Sequence, residues 1–265
     1  MSDIGASGAP SRERRPLLRL NGVGKSYGAI HALIDVDLEI FAGEVVALVG
    51  DNGAGKSTLV KIISGVHPAD SGTLFFGEEA VHLHSPADAT RQGVETVYQD
   101  LALCDNLDVV ENMFLGREVT GTVAPAPFRP LSEVEMERRS LDTLKGLQVT
   151  TIKNVRSRVA ALSGGQRQAI AISKAVMWNS TVVLLDEPTA ALGVSQTHQV
   201  LELIKRLRAQ GLGVMVISHN LHEVFEVADR IMVLRLGRLV ATFERRNVSP
   251  EDVITAITGA GQVKS

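Results

Sequence analysis

Short apolar runs and longer amphipathic segments alternate along the chain, and this alternation predicts its secondary structure. Unbroken apolar runs predict strands that are buried on both faces, at residues 45–49, 182–185 and 213–217. The segment 196–209 repeats its apolar residues at helical spacing instead. Its apolar face contains Val200, Ile204 and Leu207. Buried strands that alternate with helices predict an α/β fold with a mainly parallel sheet and helices on both of its faces.

Turn and cap signals predict the remaining elements. Further strands are predicted at residues 17–20, 36–40, 73–76, 94–97, 231–234 and 239–243, and helices at 59–63, 109–115, 168–177 and 221–228. Pro86 and Pro250 each follow a serine and predict the first turn of a short helix. Gly237 predicts the turn of a hairpin. Ser132, followed three residues later by Glu135, predicts a capping box that opens a helix.

Composition divides the chain into one large domain between two tails. Residues 1–16 are rich in Gly, Ser and Ala and then in arginine, which predicts a disordered tail. Residues 17–258 form the α/β domain, and residues 259–265 form a C-terminal tail. Loops and helical segments dominate residues 101–175, so we expect a mostly helical subdomain inserted into the α/β core.

The most informative stretch is a glycine-rich turn between a predicted strand and a predicted helix. Its sequence fits the Gly-x-x-x-x-Gly-Lys-Ser pattern of a phosphate-binding P-loop. Glycines let successive backbone N–H groups point into one concavity, and the start of the helix attracts an anion. Lys56 can reach the β- and γ-phosphates, and Ser57 can ligate Mg²⁺. The candidate nucleotide-binding residues of this turn are Gly50, Asp51, Asn52, Gly53, Ala54, Gly55, Lys56, Ser57 and Thr58.

Charge and composition narrow the possible functions. A formal net charge of -3 gives no electrostatic reason to expect nucleic-acid binding. The single cysteine, Cys104, excludes an internal disulfide and suits a reducing compartment. No run reaches the ~18 consecutive apolar residues that a membrane-spanning helix needs. The N-terminus lacks the apolar core of a signal peptide.

The apolar run at 182–185 is followed directly by Asp186 and Glu187. In nucleotide-binding proteins, a buried strand of this kind delivers an Asp to the Mg²⁺ beside the P-loop. Asp186 is therefore expected to hold the metal, directly or through water. Glu187 is expected to face the γ-phosphate and to polarise the attacking water. The alternative is an acidic pair that is merely solvated at the end of a strand.

Residues 162–166, Leu-Ser-Gly-Gly-Gln, predict a second anion-binding turn. The hydroxyl of Ser163 can cap the helix that follows, and two glycines expose backbone N–H groups at the start of that helix. The candidate nucleotide-binding residues here are Ser163, Gly164, Gly165 and Gln166. A generic Ser-Gly-Gly turn is the alternative.

The order of these motifs resembles that of one family, the ATP-binding-cassette (ABC) ATPases. A P-loop, a Leu-Ser-Gly-Gly-Gln turn and a Val-Val-Leu-Leu-Asp-Glu-Pro-Thr strand follow one another as in that family, and the resemblance covers about residues 17–258. It implies an α/β P-loop NTPase fold with a mainly parallel core sheet, an antiparallel β subdomain and an inserted helical subdomain. It also implies ATP and Mg²⁺ as cofactors, and ATP hydrolysis coupled to transport.

The resemblance also implies roles for single residues. Tyr27 resembles the aromatic residue that stacks on adenine, although a packed loop aromatic is the alternative. Gln99 resembles the glutamine that contacts Mg²⁺ and links the nucleotide to the helical subdomain. His219 resembles the histidine that contacts the γ-phosphate. The implied catalytic residues are Lys56, Gln99, Glu187 and His219, and the implied metal ligands are Ser57, Gln99 and Asp186.

The resemblance further implies partners and a location. In this family two cassettes meet head-to-tail, and each ATP lies between the P-loop of one and the Ser-Gly-Gly-Gln turn of the other. Residues 99–103, 112–117 and 188–194 resemble cassettes of bacterial monosaccharide importers of the ribose, xylose and fructose type. The implied partners are a second copy of this chain, a membrane permease and, indirectly, a secreted sugar-binding protein, with no nucleic acid. The implied location is the cytoplasmic face of the bacterial inner membrane.

The loop region 99–117 is the candidate docking site for a cytoplasmic helix of the permease. It combines a glutamine expected to sense the metal with the apolar residues Leu101, Leu103, Leu107 and Phe114. Apolar residues in an irregular surface segment suit a partner groove. The alternative is that they only pack the helical subdomain.

Two other classes of protein compete with a transporter ATPase. A soluble ABC protein that acts on ribosomes or DNA would carry two cassettes or a long coiled coil, and the sequence has neither. A plain P-loop kinase or GTPase would leave the Leu-Ser-Gly-Gly-Gln turn unexplained. The chain also departs from the ABC pattern at Gly193, where most cassettes carry an interfacial aspartate.

Overall fold

A computed structural model describes residues 15–121 and 130–260. Within these ranges the chain forms ten strands and eight α-helices. The strands are β1 (Pro16–Tyr27), β2 (Ile30–Phe41), β3 (Glu44–Val49), β4 (Ser71–Phe76), β5 (Glu79–Val81), β6 (Val94–Val97), β7 (Val182–Asp186), β8 (Gly213–Ile217), β9 (Arg230–Arg235) and β10 (Arg238–Glu244). The helices are α1 (Lys56–Ile63), α2 (Pro86–Arg91), α3 (Val109–Phe114), α4 (Glu133–Gly146), α5 (Gly164–Val176), α6 (Val194–Ala209), α7 (Leu221–Val227) and α8 (Pro250–Thr258).

The core of the fold is a six-stranded sheet in the order β10-β9-β3-β8-β7-β6. Its strands run parallel except for β10, which pairs antiparallel with β9. All six residues of β3 and all five of β8 are buried, because helices cover both faces of a parallel sheet. The mainly parallel sheet predicted from the unbroken apolar runs is therefore confirmed.

A separate four-stranded sheet, in the order β2-β1-β4-β5, is antiparallel throughout. This is the antiparallel β subdomain that the family resemblance implies. Its first strand begins at Pro16, which the sequence places at the end of the N-terminal tail. Residues 1–14 of that tail and residues 261–265 of the C-terminal tail lie outside the described residues.

The segment 101–175 contains α3, α4 and most of α5. Its own apolar core includes Val109, Met113, Phe114, Met136 and Ile170. On a different face of α5, Ala169, Ile172 and Ala175 pack into the core formed with α6 and the parallel sheet. Helix α5 thus belongs to both cores and connects the helical region to the sheet. Pro125 and Pro127, which mark the predicted loop, lie outside the described residues.

The capping box predicted at Ser132 is wrong, although α4 does begin there. The Ser132 side chain makes no capping hydrogen bond. Arg138 and Arg139 instead bind the carboxylate of Glu135, and their hydrogen bonds lower the pKa of Glu135 to about 2. The acid that would complete the box is therefore turned toward the next turn of its own helix.

Among the helices of residues 15–121 and 130–260, not one combines the length and the apolar character that crossing a bilayer requires.

Candidate functional site

A tight turn joins β3 to α1, and glycine is required at two of its positions. Gly50 has a φ of 153°, and a Cβ atom there would lie 2.1 Å from the carbonyl oxygen of Leu234. Gly55 has a φ of 109°, and a Cβ atom there would lie 2.6 Å from the carbonyl oxygen of Ala32. The backbone can adopt this path only where the residue carries no side chain.

Lys56 closes this turn from within. Its Nζ donates hydrogen bonds to the carbonyl oxygens of Gly50 at 2.7 Å and Asp51 at 3.0 Å. Because α1 begins at Lys56, the N–H groups of its first turn have no acceptor within the helix. An ammonium group and a helix start at one turn are the combination that binds a phosphate group.

A cavity of about 550 Å³ opens beside this turn. The predicted site residues that line it are Asn52, Gly53, Gly55, Lys56, Ser57, Thr58, Gln99, Asp186 and Glu187. Gly50, Asp51 and Ala54 belong to the same turn but are not among the lining residues. The fold therefore brings the P-loop, Gln99 from the loop after β6 and the acidic pair at the end of β7 to one place.

The sequence reasoning missed a second set of lining residues. These come from the start of β2 and from the turn between β9 and β10, and they are Ile30, His31, Ala32, Leu236 and Gly237. Ile30 is 70% exposed and Leu236 is 75% exposed, so both present apolar surface at the cavity. No local pattern in the sequence distinguishes these residues from other hairpin residues.

The acidic pair lies at the carboxyl end of β7. Burial raises the pKa of Asp186, the neighbouring charge of Glu187 raises it further, and Lys56 opposes both effects. Glu187 has a φ of 49°, and its N–H donates to the carbonyl oxygen of Ile217 on β8 at 2.9 Å. Active sites are among the places where non-glycine residues held in the left-handed region cluster.

The oxygen donors around this cavity suit a magnesium ion. Ser57 contributes a hydroxyl group, Gln99 an amide carbonyl and Asp186 a carboxylate, which are the hard ligands that Mg²⁺ prefers. Two adjacent, partly buried carboxylates repel each other unless a cation lies nearby. The residues present therefore fit the ion.

His219 lies two residues after the end of β8 and contacts Glu187. Its Nδ1 is 2.8 Å from one carboxylate oxygen of Glu187 and 2.9 Å from the other. An ionised carboxylate only accepts hydrogen bonds, so Nδ1 carries the proton in this contact. The single N–H group of the neutral ring is therefore used by Glu187, and a γ-phosphate contact requires the ring to turn or to take a second proton.

Tyr27 ends β1 and is not among the residues that line the cavity. Its ring is 44% exposed and packs edge-on against His67, with the two ring centroids 5.9 Å apart. The next strand of the hairpin supplies Ile30 and His31 to the cavity instead. Adenine stacking on Tyr27 remains a prediction.

The Leu-Ser-Gly-Gly-Gln turn forms the start of α5. The Ser163 hydroxyl accepts a hydrogen bond from the Gln166 N–H at 3.3 Å, and the Gln166 side chain accepts one from the Ser163 N–H at 2.9 Å. A Cβ atom at Gly164 would lie 2.9 Å from Leu192, and one at Gly165 would lie 2.9 Å from Gln196. The two glycines thus allow α5 to pack closely against the start of α6.

The described residues 162–166 do not line the P-loop cavity of their own chain. The two predicted anion-binding turns are therefore separate within a single copy of the chain.

Another cavity, of about 590 Å³, lies at the opposite end of the parallel sheet, where β3 and β9 begin. Charged side chains line it, and they pair with each other: Arg230 binds Glu44, and Arg208 lies 2.7 Å from Asp229. These ion pairs hold the strand ends together, and the P-loop lies at the other end of the sheet.

The fold and these two turns define an ATP-binding cassette. A family model described as ABC transporter matches residues 33–190, which is more than half of the chain. The chain belongs to the ABC transporter family.

Two relatives illustrate this membership. The chain is 43% identical to the fructose import ATP-binding protein FrcA of Rhizobium meliloti, over 93% of this chain and 95% of that protein. It is 46% identical to the xylose/arabinose import ATP-binding protein XylG of Sulfolobus acidocaldarius, over 91% of this chain and 94% of that protein.

Solved structures agree. A nucleotide-free ATP-binding cassette from an ABC transporter matches with a TM-score of 0.76 and 26% identity, over 92% of this chain and 95% of that chain. A dimeric post-hydrolysis state of the cassette MJ0796, bound to ADP and Pi, matches with a TM-score of 0.70 and 26% identity, over 87% of this chain and all of that chain. The chain is accordingly an ATP-binding and ATP-hydrolysing subunit of the ABC type.

Proposed function

We propose that two copies of this chain hydrolyse ATP at the cytoplasmic face of a bacterial inner-membrane permease and thereby drive the import of a monosaccharide. The observation that carries the proposal is the pairing of a P-loop cavity with a Leu-Ser-Gly-Gly-Gln turn outside it in the same chain. The names of the relatives, which are import proteins for fructose and for xylose or arabinose, support the sugar class. The cassette itself contacts no sugar in this scheme.

In this scheme the P-loop binds the phosphates of ATP through its backbone N–H groups and the ammonium group of Lys56. Ser57, Gln99 and Asp186 would hold Mg²⁺, which offsets the negative charge of the phosphates when bound. Glu187 accepts a proton from the attacking water, because its carboxylate lines the cavity and lies beside the P-loop. His219 orients that carboxylate through its Nδ1 contact of 2.8 Å.

Each ATP is completed by the other copy of the chain. Ser163, Gly164, Gly165 and Gln166 of one copy lie over the phosphates held by the P-loop of its partner. The free N–H groups at the start of α5 supply the second set of donors. The dimeric structure of a related cassette supports this arrangement.

The permease docks beside Gln99, but on a smaller surface than the sequence suggests. Phe114 is 1% exposed and packs edge-on against Trp178 in the helical core, so it cannot contact a partner. Leu101 and Leu103 are only partly buried, and Leu115 is 42% exposed. The docking surface is therefore formed by the loop before α3 and by Leu115, the residue after α3.

Lys174 gives this surface an excess of positive charge. Lys174 has no ion-pair partner among the described residues, and burial, followed by the nearby charge of Arg117, lowers its pKa. The Arg117 guanidinium stacks over Trp178 and also pairs with Glu95 at 2.7 Å. An acidic side chain on the permease segment would offset this excess of positive charge.

Cysteine crosslinking tests the docking surface. In a Cys104→Ser background, single cysteines at Leu101, Leu103 and Leu115 should crosslink to cysteines placed along a cytoplasmic segment of the permease. A cysteine at Val134, which is 83% exposed on α4, is the matched control and should not crosslink. A full scan in which the three positions give no more crosslink than Val134 would move the docking surface elsewhere.

The proposed function is tested with the assembled transporter. The chain, a candidate permease and a candidate sugar-binding protein are reconstituted in liposomes, and ATP turnover is measured with a panel of monosaccharides. We expect one sugar, or a few related sugars, to stimulate turnover only when the binding protein is present. Turnover that no sugar stimulates, in liposomes that contain all three components, would contradict the import of a monosaccharide.

A further inference from the structure

Two loops carry the proposed catalytic acid and its histidine. The first follows β7 and contains Glu187, and the second follows β8 and contains His219. The ring of His219 is 76% exposed, and its contact with Glu187 is the one hydrogen bond that it makes among the described residues. The histidine ring itself therefore does little to fix the position of its own loop.

A second connection joins the same two loops through Glu223, in the first turn of α7. The Thr189 hydroxyl donates a hydrogen bond to one carboxylate oxygen of Glu223. The side-chain amide of Asn220 donates to the other oxygen at 2.9 Å. Thr189 lies two residues after the proposed acid, and Asn220 directly follows the histidine.

The partners of Glu223 are themselves fixed. Thr189 is 8% exposed, and its carbonyl oxygen accepts a hydrogen bond from the Leu192 N–H at 3.2 Å. Asn220 caps α7, because its side-chain oxygen accepts from the His222 N–H at 3.1 Å. Its own N–H donates to the Ser218 hydroxyl at 3.1 Å. A carboxylate that accepts from two such groups acts as a clamp between the loops.

We propose that Glu223 is a positioning residue that holds the His219 loop against the Glu187 loop. Glu223 does not line the P-loop cavity, so it makes no contact with ATP in this account. It acts through His219, which in turn orients the carboxylate of Glu187. The assignment rests on the proposed role of Glu187 in ATP hydrolysis.

This geometry predicts an effect on turnover but not on binding. Without the carboxylate, the Asn220 amide and the Thr189 hydroxyl lose their common acceptor, and the two loops can separate. A displacement of about 1 Å at a reacting group can cost about 100-fold in rate. The P-loop, which binds the nucleotide, keeps all of its contacts.

The test is Glu223→Ala, measured by single-turnover hydrolysis and by ATP binding. We expect the hydrolysis rate to fall about 10- to 100-fold, with the Kd for ATP changed less than about twofold. Glu223→Gln can still bind both partners, since its carbonyl accepts from Asn220 and its NH₂ donates to the Thr189 hydroxyl, so it should stay within about threefold of wild type. Glu226→Ala removes another carboxylate of α7, which pairs with Lys205 of α6, and serves as the control, with no expected loss.

The deciding measurement repeats Glu223→Ala in a His219→Ala background. If Glu223 acts through His219, Glu223→Ala should not lower the hydrolysis rate any further in this background. An equal loss in both backgrounds, or no loss in either, would overturn the positioning role. Thr189→Val, with Thr189→Ser as its rescue, applies the same test if Glu223→Ala does not fold. A wild-type chain without any ATPase activity would instead count against the proposed function.

Discussion

Glu187→Gln is expected to bind ATP as tightly as the wild-type chain and to hydrolyse it at least about 100-fold more slowly. The amide has nearly the same shape as the carboxylate, so it can keep the hydrogen bond from His219 Nδ1. It cannot take a proton from water, which removes general-base catalysis. It also removes the neighbouring charge that raises the pKa of Asp186, which favours the ionised form of that carboxylate.

Two assays separate these effects. Equilibrium binding of a fluorescent ATP analogue measures affinity, and single-turnover release of phosphate measures chemistry. Glu251→Gln makes the same chemical change at an exposed position on α8 and should leave both unchanged. Normal phosphate release by a folded Glu187→Gln variant would remove Glu187 from the catalytic role.

The largest loss of nucleotide binding is expected from Lys56→Ala. Hydrogen bonds to charged groups contribute about 1.5–3 kcal/mol, so affinity for ATP should fall about 10- to 100-fold. The change also removes the ammonium group that binds the carbonyl oxygens of Gly50 and Asp51, so the turn loses a contact that shapes it. Turnover should fall below detection, because the ammonium group also stabilises the charge that develops on the phosphates during hydrolysis.

Lys61→Ala is the matched control for this change. Lys61 lies on the same helix, is exposed and does not line the cavity. The Lys61→Ala variant should bind ATP with wild-type affinity. The melting temperature shows whether the Lys56→Ala variant is folded. A folded variant that binds ATP with wild-type affinity would contradict the proposed phosphate contact.

Local sequence patterns predict much of the fold. The strands β3, β7 and β8 are predicted because unbroken apolar runs have few alternatives in a chain that also contains amphipathic helices. The hairpin turn at Gly237 is predictable because glycine readily adopts a positive φ, and its φ here is 77°. Strand β5 was missed because it has only three residues, none of them fully buried. The Ser132 cap was wrong because ion pairs within α4 compete for Glu135.

The candidate site was likewise only partly predictable from the sequence. The P-loop, Asp186 and Glu187 were recognisable because their chemistry requires fixed residue types at fixed spacing. Ile30, His31 and Leu236 were not, because their position at the cavity depends on how two separate sheets meet. Glu223 was missed because Thr189, its partner in the other loop, lies 34 residues away in the sequence. The sequence prediction placed Phe114 in the docking surface, because no local sequence pattern shows that its side chain is buried in the helical core.

The central claim is that each ATP site is shared between two copies of this chain. Ser163→Arg places a bulky cation in the turn that is proposed to cover the partner's ATP, whereas Lys56→Ala damages the P-loop. Homodimers of either variant contain the same lesion in both sites and should be inactive. A mixed dimer of the two variants contains one doubly damaged site and one intact site.

The direct measurement is the ATPase activity of mixed dimers, assembled with the permease and purified through a different affinity tag on each variant. The account predicts that these dimers recover activity, up to about half of the wild-type value for independent sites. Equal mixing is verified by recovery of both tags. Mixed dimers that stay as inactive as the two homodimers would contradict a site built from two chains.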